Sequence, residues 1–151
     1  MADEAELHVQ RVVERPYEAV EAQLREGPTR WLPGFKRDGD RMSGELAIER
    51  AGARVSRRTE VQVGPVQRFA YGVTIQVRWK GQRHPDLYPE LEGHLRVEPH
   101  EPSGADLRFD ARYVPPGGRV GATVDRALMH HVAESSVRNF VACVAERLDA
   151  G

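Results

Sequence analysis

The sequence predicts an α+β domain in which a curved antiparallel sheet wraps around one long C-terminal helix. Consecutive stretches in the middle of the chain alternate apolar and polar residues with a period of two, which is typical of strands with one covered face. Apolar residues at helical spacing then run through residues 122–148. Because this helix is the only predicted element long enough to cover the sheet, we expect the two to pack together.

One strand and short helices are predicted before the alternating region. Residues 7–14 have strand composition, and Pro16 suits the first position of a short amphipathic helix, which Gly27-Pro28 ends. The segment 31–35 is too apolar for a solvent loop and too broken for a long helix. We therefore expect it to pack over apolar residues, either as a lid or as a plug.

The alternating region predicts about five strands, which short Gly- and Pro-containing turns join in antiparallel order. They cover residues 41–49, 55–63, 68–79, 91–98 and 107–113. A turn is expected at Gly64-Pro65, and the strand that follows it places Phe69, Tyr71 and Trp79 on one face. Gly44 and Gly93 share the face of their strands' apolar residues, where they favour curvature of the sheet or leave room for a ligand.

A corner rich in proline and glycine separates the last strand from the terminal helix. The sequence Tyr113-Val-Pro-Pro-Gly-Gly can neither continue a strand nor sit comfortably inside a helix. Asp125 near the helix start and Arg147 near its end complement the helix dipole. The residues expected on the buried face of the helix are Met129, Ala133, Val137, Phe140, Val144 and Leu148.

Length and charge restrict the class of protein. With 151 residues the chain fits a single domain, residues 1–151, and 22 basic against 23 acidic residues give no net field that favours nucleic acid. The N-terminal residues are polar, and no segment approaches the length of a stable membrane insertion. Cys143, the single cysteine, excludes an internal disulfide. A soluble cytoplasmic protein is expected, and its oligomeric state stays open, a homodimer included.

The order of the predicted elements, together with Tyr113-x-Pro-Pro-x-Gly, Gly121, Asp125 and Ala133, resembles the START-like (SRPBCC) helix-grip superfamily. Within it, the sequence is most similar to bacterial polyketide cyclase/dehydratase-type and lipid-transport-type proteins. The resemblance covers residues 7–148. It implies an apolar cavity between the sheet and the C-terminal helix. It transfers no catalytic motif, and a fold alone assigns no activity.

The predicted ligand site lies between the sheet and the helix. Trp31 and Phe35 would form its mouth. The expected wall residues are Tyr71, Trp79, Phe109, Tyr113, Met129, Ala133 and Val137. Tyrosine and tryptophan suit such a wall because each adds one polar atom to a largely apolar surface.

Arg57 is the charged residue that fits the predicted core least, because strand alternation places it on the apolar face. An unpaired buried charge is unfavourable, so Arg57 must meet an acid or a ligand anion, escape at the sheet edge, or lie beside a bulge. If it points inward, it is the candidate anchor for a carboxylate, an enolate or a phenolate. Arg11 on the first strand has the same ambiguity.

Two polar clusters are candidate chemical sites. His130 and Glu134 are spaced i, i+4, but with His131 they fit the solvated side of the helix, and no third metal ligand is suggested, so neither a metal nor a cofactor is expected. His84, Asp86 and Tyr88 fall in a predicted loop, where they are either ordinary loop composition or functional groups.

Three functions are compatible with these patterns. The first is binding of a hydrophobic or aromatic small molecule, such as a lipid or a polyketide. The second is a cofactor-independent cyclase or dehydratase in which Arg57 or a tyrosine stabilises enolate charge, although no inward carboxylate offers a general base. The third is a protein-interaction module with a filled pocket, which an exposed apolar patch around residues 31–35 would mark.

Overall fold

A computed structural model describes residues 5–38, 41–50, 53–81, 90–114 and 126–151. The side chains of residues 5, 38, 47–50, 53–55, 57, 81, 114 and 126–129 lie outside this description. The strands are β1 (Ala5–Val13), β2 (Lys36–Asp38), β3 (Arg41–Arg50), β4 (Ala53–Phe69), β5 (Gly72–Gly81), β6 (Glu90–His100) and β7 (Gly104–Val114). The helices are α1 (Tyr17–Arg25), a short 3-10 turn (Pro28–Arg30) and α2 (Arg126–Ala150).

The seven strands form one antiparallel sheet in the order β1-β7-β6-β5-β4-β3-β2. Helix α2 contacts β1 and β7 near one edge of the sheet and β3 near the other edge. The sheet therefore curves around the helix. Helix α1 packs on β6 and β7. The predicted architecture is therefore confirmed. Within the described ranges, no helix combines the length and apolar character needed to cross a membrane.

The predicted turn at Gly64-Pro65 is wrong. Strand β4 continues through both residues, and they form a bulge, because Val63 pairs with Val77 while Val66 pairs with Ile75. A bulge tolerates proline because its extra residue makes no ladder hydrogen bond. The chain reverses later, at residues 70–71, and Phe69 pairs with Gly72 across that turn.

The core lies between the concave face of the sheet and α2. Strand alternation is confirmed along β5, where Val73, Ile75, Val77 and Trp79 are all buried. Phe69, which was expected on the same face, instead lies 4.9 Å beneath the guanidinium of Arg96. The difference follows from the turn, because Phe69 belongs to β4 and not to β5. The predicted Pro/Gly corner and the start of the terminal helix lie outside the described residues.

Candidate ligand-binding site

A cross-strand row brings two predicted wall residues to the same level of the sheet. Leu91 on β6 pairs with Trp79 on β5 and with Tyr113 on β7. All three residues are buried, with exposed fractions of 0%, 1% and 4%. Because neighbouring strands are about 4.8 Å apart, the backbones of Trp79 and Tyr113 are separated by roughly 10 Å. An indole and a phenol therefore lie on one apolar wall.

An aromatic cluster connects this wall to α2. The ring centroid of Trp79 lies 5.5 Å from that of Phe109 and 4.8 Å from that of Phe140, and the Phe109 and Phe140 centroids are 5.2 Å apart. These separations are within the range of favourable aromatic contacts. Three side chains from β5, β7 and α2 therefore fill the interior at this level.

Two glycines make room for the protein's own rings. A Cβ added to Gly93 would lie 2.9 Å from the Cε1 and Cζ atoms of Phe109, and one added to Gly44 would lie 2.7 Å from the Cγ atom of Phe35. Real Cβ atoms do not approach other atoms so closely. The space left by each missing side chain is thus occupied by an aromatic ring, and neither glycine leaves free volume for a ligand.

The indole nitrogen of Trp79 is buried and has no hydrogen-bond partner. Among the described residues, it is the one buried side-chain nitrogen or oxygen for which this holds. Leaving such a donor unsatisfied costs about 1–3 kcal/mol, and native structures rarely do so. The apolar interior therefore contains a donor that needs an acceptor.

A chain of polar contacts leads from the buried wall to the surface of α2. The Tyr113 hydroxyl lies 3.0 Å from Nδ1 of His130, and Nε2 of His130 lies 3.6 Å from Oε2 of Glu134. Glu134 in turn forms a 2.6 Å ion pair with Arg138. Burial raises the pKa of the Tyr113 phenol.

His130 differs from the solvated position that the sequence suggested, since its half-exposed ring is tied to a buried phenol. His131, one residue on, is exposed as predicted. Strand β7 supplies the partner of His130, so spacing along α2 alone could not reveal the contact. In the part of the chain that the structure describes, no group of three or more His, Cys, Asp or Glu residues could hold a metal ion.

Most of the predicted site residues are buried. The buried members of this set are Trp31, Phe35, Trp79, Phe109, Tyr113, Ala133 and Val137. Trp31 and Phe35 are only 1% and 8% exposed, so they form a plug in the core and no open mouth. An interaction module was expected to expose an apolar patch around residues 31–35. Because Trp31 and Phe35 are buried, these two side chains form no such patch.

The inward orientation expected for Tyr71 is wrong. Tyr71 lies in the β4–β5 turn and is 76% exposed, because the chain reverses there and not at Gly64-Pro65. Met129 also belonged to the predicted wall, but its side chain is outside the described residues. The loop cluster of His84, Asp86 and Tyr88 is outside them as well.

The backbone pairing shows which of the predicted environments, a bulge or the edge of the sheet, is possible for Arg57 and Arg11. Arg57 pairs with Leu46, and the β3–β4 register is continuous on both sides of this pair, so no bulge reverses the alternation there. The side chain of Arg57 lies outside the described residues. Arg11 is exposed, and it lies on β1, a strand at the edge of the sheet. The prediction that Arg11 reaches solvent at the sheet edge is therefore confirmed.

A cleft of about 270 Å³, which Trp79 also borders, has a polar lining. Its lining residues are Arg41, Glu60, Gln62, Arg78, Trp79, Lys80 and Glu90. Arg41 forms an ion pair with Glu60, and Arg78 forms one with Glu92 at 3.3 Å. Because its lining is mostly polar and charged, the cleft does not correspond to the apolar site predicted between sheet and helix.

No protein-family profile matches the chain, and no curated protein sequence matches it. Solved structures do resemble it. A conserved protein from Geobacillus kaustophilus has a TM-score of 0.59 at 14% identity, and the match covers 97% of this chain and 96% of that one. An aromatase/cyclase from a Streptomyces species has a TM-score of 0.58 at 14% identity, with 97% and 94% covered.

A plant protein shows the same likeness. Norcoclaurine synthase from Thalictrum flavum has a TM-score of 0.56 at 8% identity, and the match covers 96% of this chain and 86% of that one. At such identities, structural similarity establishes the fold and leaves the activity open. The curved seven-stranded sheet, the long C-terminal helix and these neighbours together show that the chain has the helix-grip fold.

Proposed function

We propose that the protein binds a hydrophobic or aromatic small molecule between the sheet and α2. The unpartnered Trp79 indole nitrogen carries this proposal. An N–H group in an apolar, weakly polarisable interior forms a strong hydrogen bond when an acceptor is supplied, and it is costly when none is. A bound molecule with an apolar body and one acceptor oxygen would satisfy it. The ligand class is therefore an aromatic or lipid-like compound that contains a carbonyl, ether or hydroxyl oxygen.

The residues around Trp79 support this ligand class. Leu91 on the neighbouring strand and Phe140 on α2 supply buried apolar surface next to Trp79, and Tyr113 supplies a second polar atom in the same cross-strand row. Small-molecule sites typically combine an apolar wall with a few such polar groups. Because Phe109 and Phe35 fill the recesses at Gly93 and Gly44, we place the ligand beside the aromatic cluster and not in those recesses. Two proteins of similar structure are an aromatase/cyclase and a norcoclaurine synthase.

Native mass spectrometry of freshly purified protein is the first test. We expect a mass above that of the denatured chain, and extraction should release an apolar molecule. Binding is then measured by calorimetry with naphthalene and with 2-methoxynaphthalene, which adds one acceptor oxygen. Wild-type protein should favour 2-methoxynaphthalene about tenfold, which corresponds to a hydrogen bond of ~1.4 kcal/mol.

The Trp79→Phe substitution should abolish that preference, because phenylalanine keeps an aromatic ring and removes the N–H group. Comparing two compounds in two proteins cancels most of the effect of the smaller ring. Trp31→Phe is the matched control, since it changes another buried indole, in the plug, and should leave the preference intact. Absence of a co-purified molecule, together with no binding of either compound, would contradict the proposal.

A further inference from the structure

The hydrogen bond between Tyr113 and His130 has a direction that its surroundings determine. A neutral imidazole carries one N–H group, at either Nδ1 or Nε2. The Glu134 carboxylate lies 3.6 Å from Nε2, and Arg138 holds that carboxylate by a 2.6 Å ion pair. A carboxylate attracts an N–H group and repels a lone pair, so it favours the proton on Nε2. The Nδ1 atom is then an acceptor.

With Nδ1 as the acceptor, the Tyr113 hydroxyl must donate its proton to His130 across the 3.0 Å contact. A hydroxyl has one proton and two lone pairs, so the phenol oxygen keeps the ability to accept. Burial raises the pKa of Tyr113, which keeps the phenol neutral at physiological pH. Tyr113 therefore presents a neutral acceptor on the covered face of β7, where it is only 4% exposed.

The two polar groups of the wall consequently have opposite requirements. Trp79 Nε1 needs an acceptor, whereas Tyr113 Oη can take a donor, and their backbones lie roughly 10 Å apart in one row across β5, β6 and β7. A molecule that lies along this row can satisfy both only if it carries a hydrogen-bond acceptor for Trp79 and a donor, such as a hydroxyl group, for Tyr113.

We propose that Tyr113 accepts a hydrogen bond from a hydroxyl group of the bound molecule, so that the site selects phenols and enols over analogues without that hydroxyl. This inference rests on the proposed binding function and adds the hydroxyl as the selected group. The role of His130 and Glu134 is to position the Tyr113 proton, and neither residue needs to touch the ligand.

Calorimetry with 6-methoxy-2-naphthol and 2,6-dimethoxynaphthalene tests the selectivity. Both compounds carry an acceptor oxygen at each end, and only the first has a hydroxyl proton. Wild-type protein should bind 6-methoxy-2-naphthol about tenfold more tightly, and Tyr113→Phe should reduce the ratio to about one, because it removes the phenol oxygen and keeps the ring. Tyr17→Phe is the matched control, since the Tyr17 hydroxyl donates to Glu21 on α1 and the substitution should leave the ratio unchanged.

A second measurement does not depend on ligand. The ¹⁵N NMR signals of His130 should show the proton on Nε2 in wild-type protein, and Glu134→Gln should weaken that preference. A proton on Nδ1 would overturn the inference whatever the binding data show. A preference for 6-methoxy-2-naphthol that persists in Tyr113→Phe, or equal binding of both compounds by wild-type protein, would also overturn it and leave the binding function standing. If no naphthalene binds, the proposed function fails and the inference fails with it.

Discussion

Gly93 has no side chain, and this leaves space in the core for the Phe109 ring. The Phe109 ring lies where a side chain at Gly93 would begin, and the carbonyl oxygen of Asp110 would be 2.5 Å from an added Cβ. We predict that Gly93→Ala lowers the free energy of unfolding by about 1–3 kcal/mol, the usual cost of overpacking a core. Urea denaturation followed by circular dichroism measures this difference.

Gly64→Ala is the control for that experiment. A Cβ at Gly64 would meet no atom closer than 3.4 Å, which is an ordinary contact distance. The substitution should be neutral, or stabilising by up to about 1 kcal/mol, because it restricts the unfolded chain. If Gly93→Ala were as stable as Gly64→Ala, the Phe109 ring would not depend on the missing side chain.

Sequence alternation predicted which way single side chains point wherever a strand is regular. Trp79, Phe109 and Gly93 lie on the predicted face. It failed at Tyr71, because Gly64-Pro65 is a bulge and the strand boundary therefore moved. The Tyr113–His130 contact could not be predicted, since it depends on how α2 is rotated relative to β7, and local sequence periodicity does not determine that rotation.

Helix α1 is tied to the β4–β5 hairpin by one carboxylate. Glu21 accepts a 2.7 Å hydrogen bond from the Tyr17 hydroxyl and contacts Arg25 at 3.1 Å, and Arg68 of β4 reaches both of its oxygens at 3.3 Å. Burial and the bond to Glu21 raise the pKa of Tyr17 to about 12. The hydrogen bond from Tyr17 lowers the pKa of Glu21, and both arginines lower it further against the opposing effect of burial.

These contacts predict a pH dependence of stability. Because the folded state lowers the pKa of Glu21, its contribution is present above the ordinary value of 4.5 and is lost as pH falls through the lower folded value. Glu21→Gln should therefore make the melting temperature less sensitive to pH between about pH 3 and 5. Thermal unfolding across this range measures the effect.

Glu18→Gln is the matched control, because Glu18 is an exposed carboxylate on the same helix. Its acid sensitivity should equal that of wild-type protein. Equal acid sensitivity in Glu21→Gln and wild-type protein would contradict the role assigned to Glu21. A smaller pH dependence in Glu21→Gln alone would support the carboxylate as the link between α1 and the hairpin.

The aromatic cluster joins the two layers of the whole molecule, because Phe140 of α2 contacts rings from both β5 and β7. Phe140→Ala should lower the free energy of unfolding by about 3–5 kcal/mol, as is typical when a buried aromatic side chain is deleted. The cavity that it leaves should also bind naphthalene more tightly than wild-type protein does. Urea denaturation and calorimetry measure the two effects.

Phe69→Ala is the control for the Phe140→Ala experiment. Phe69 is half-buried, and its described ring contact is with Arg96, so its loss should cost less than the loss of Phe140. Similar losses in the two variants would contradict the view that the cluster holds the helix to the sheet. If Phe140→Ala bound naphthalene no more tightly than wild-type protein, neighbouring core residues would have filled the space left by the Phe140 ring.

At the scale of the whole molecule, the sequence predicted the architecture well. The alternation of the middle strands and the length of α2 allow few arrangements other than a sheet around a helix. The order of β3 to β7 also followed from their short connections. Strand β2 was missed because Lys36–Asp38 is three charged residues without an apolar pattern.

The pairing of β1 with β7 affects how the chain folds while the ribosome synthesises it. Strands β2 to β7 can pair with their neighbours as they emerge, but the partner of Val13 is Ala105 and that of Ala5 is Tyr113, so β1 must wait for about a hundred further residues. At synthesis rates of about 5–20 residues per second, this wait lasts roughly 5–20 seconds. During that time β1 is an unpaired strand, so the earliest made of the seven strands is among the last to be folded.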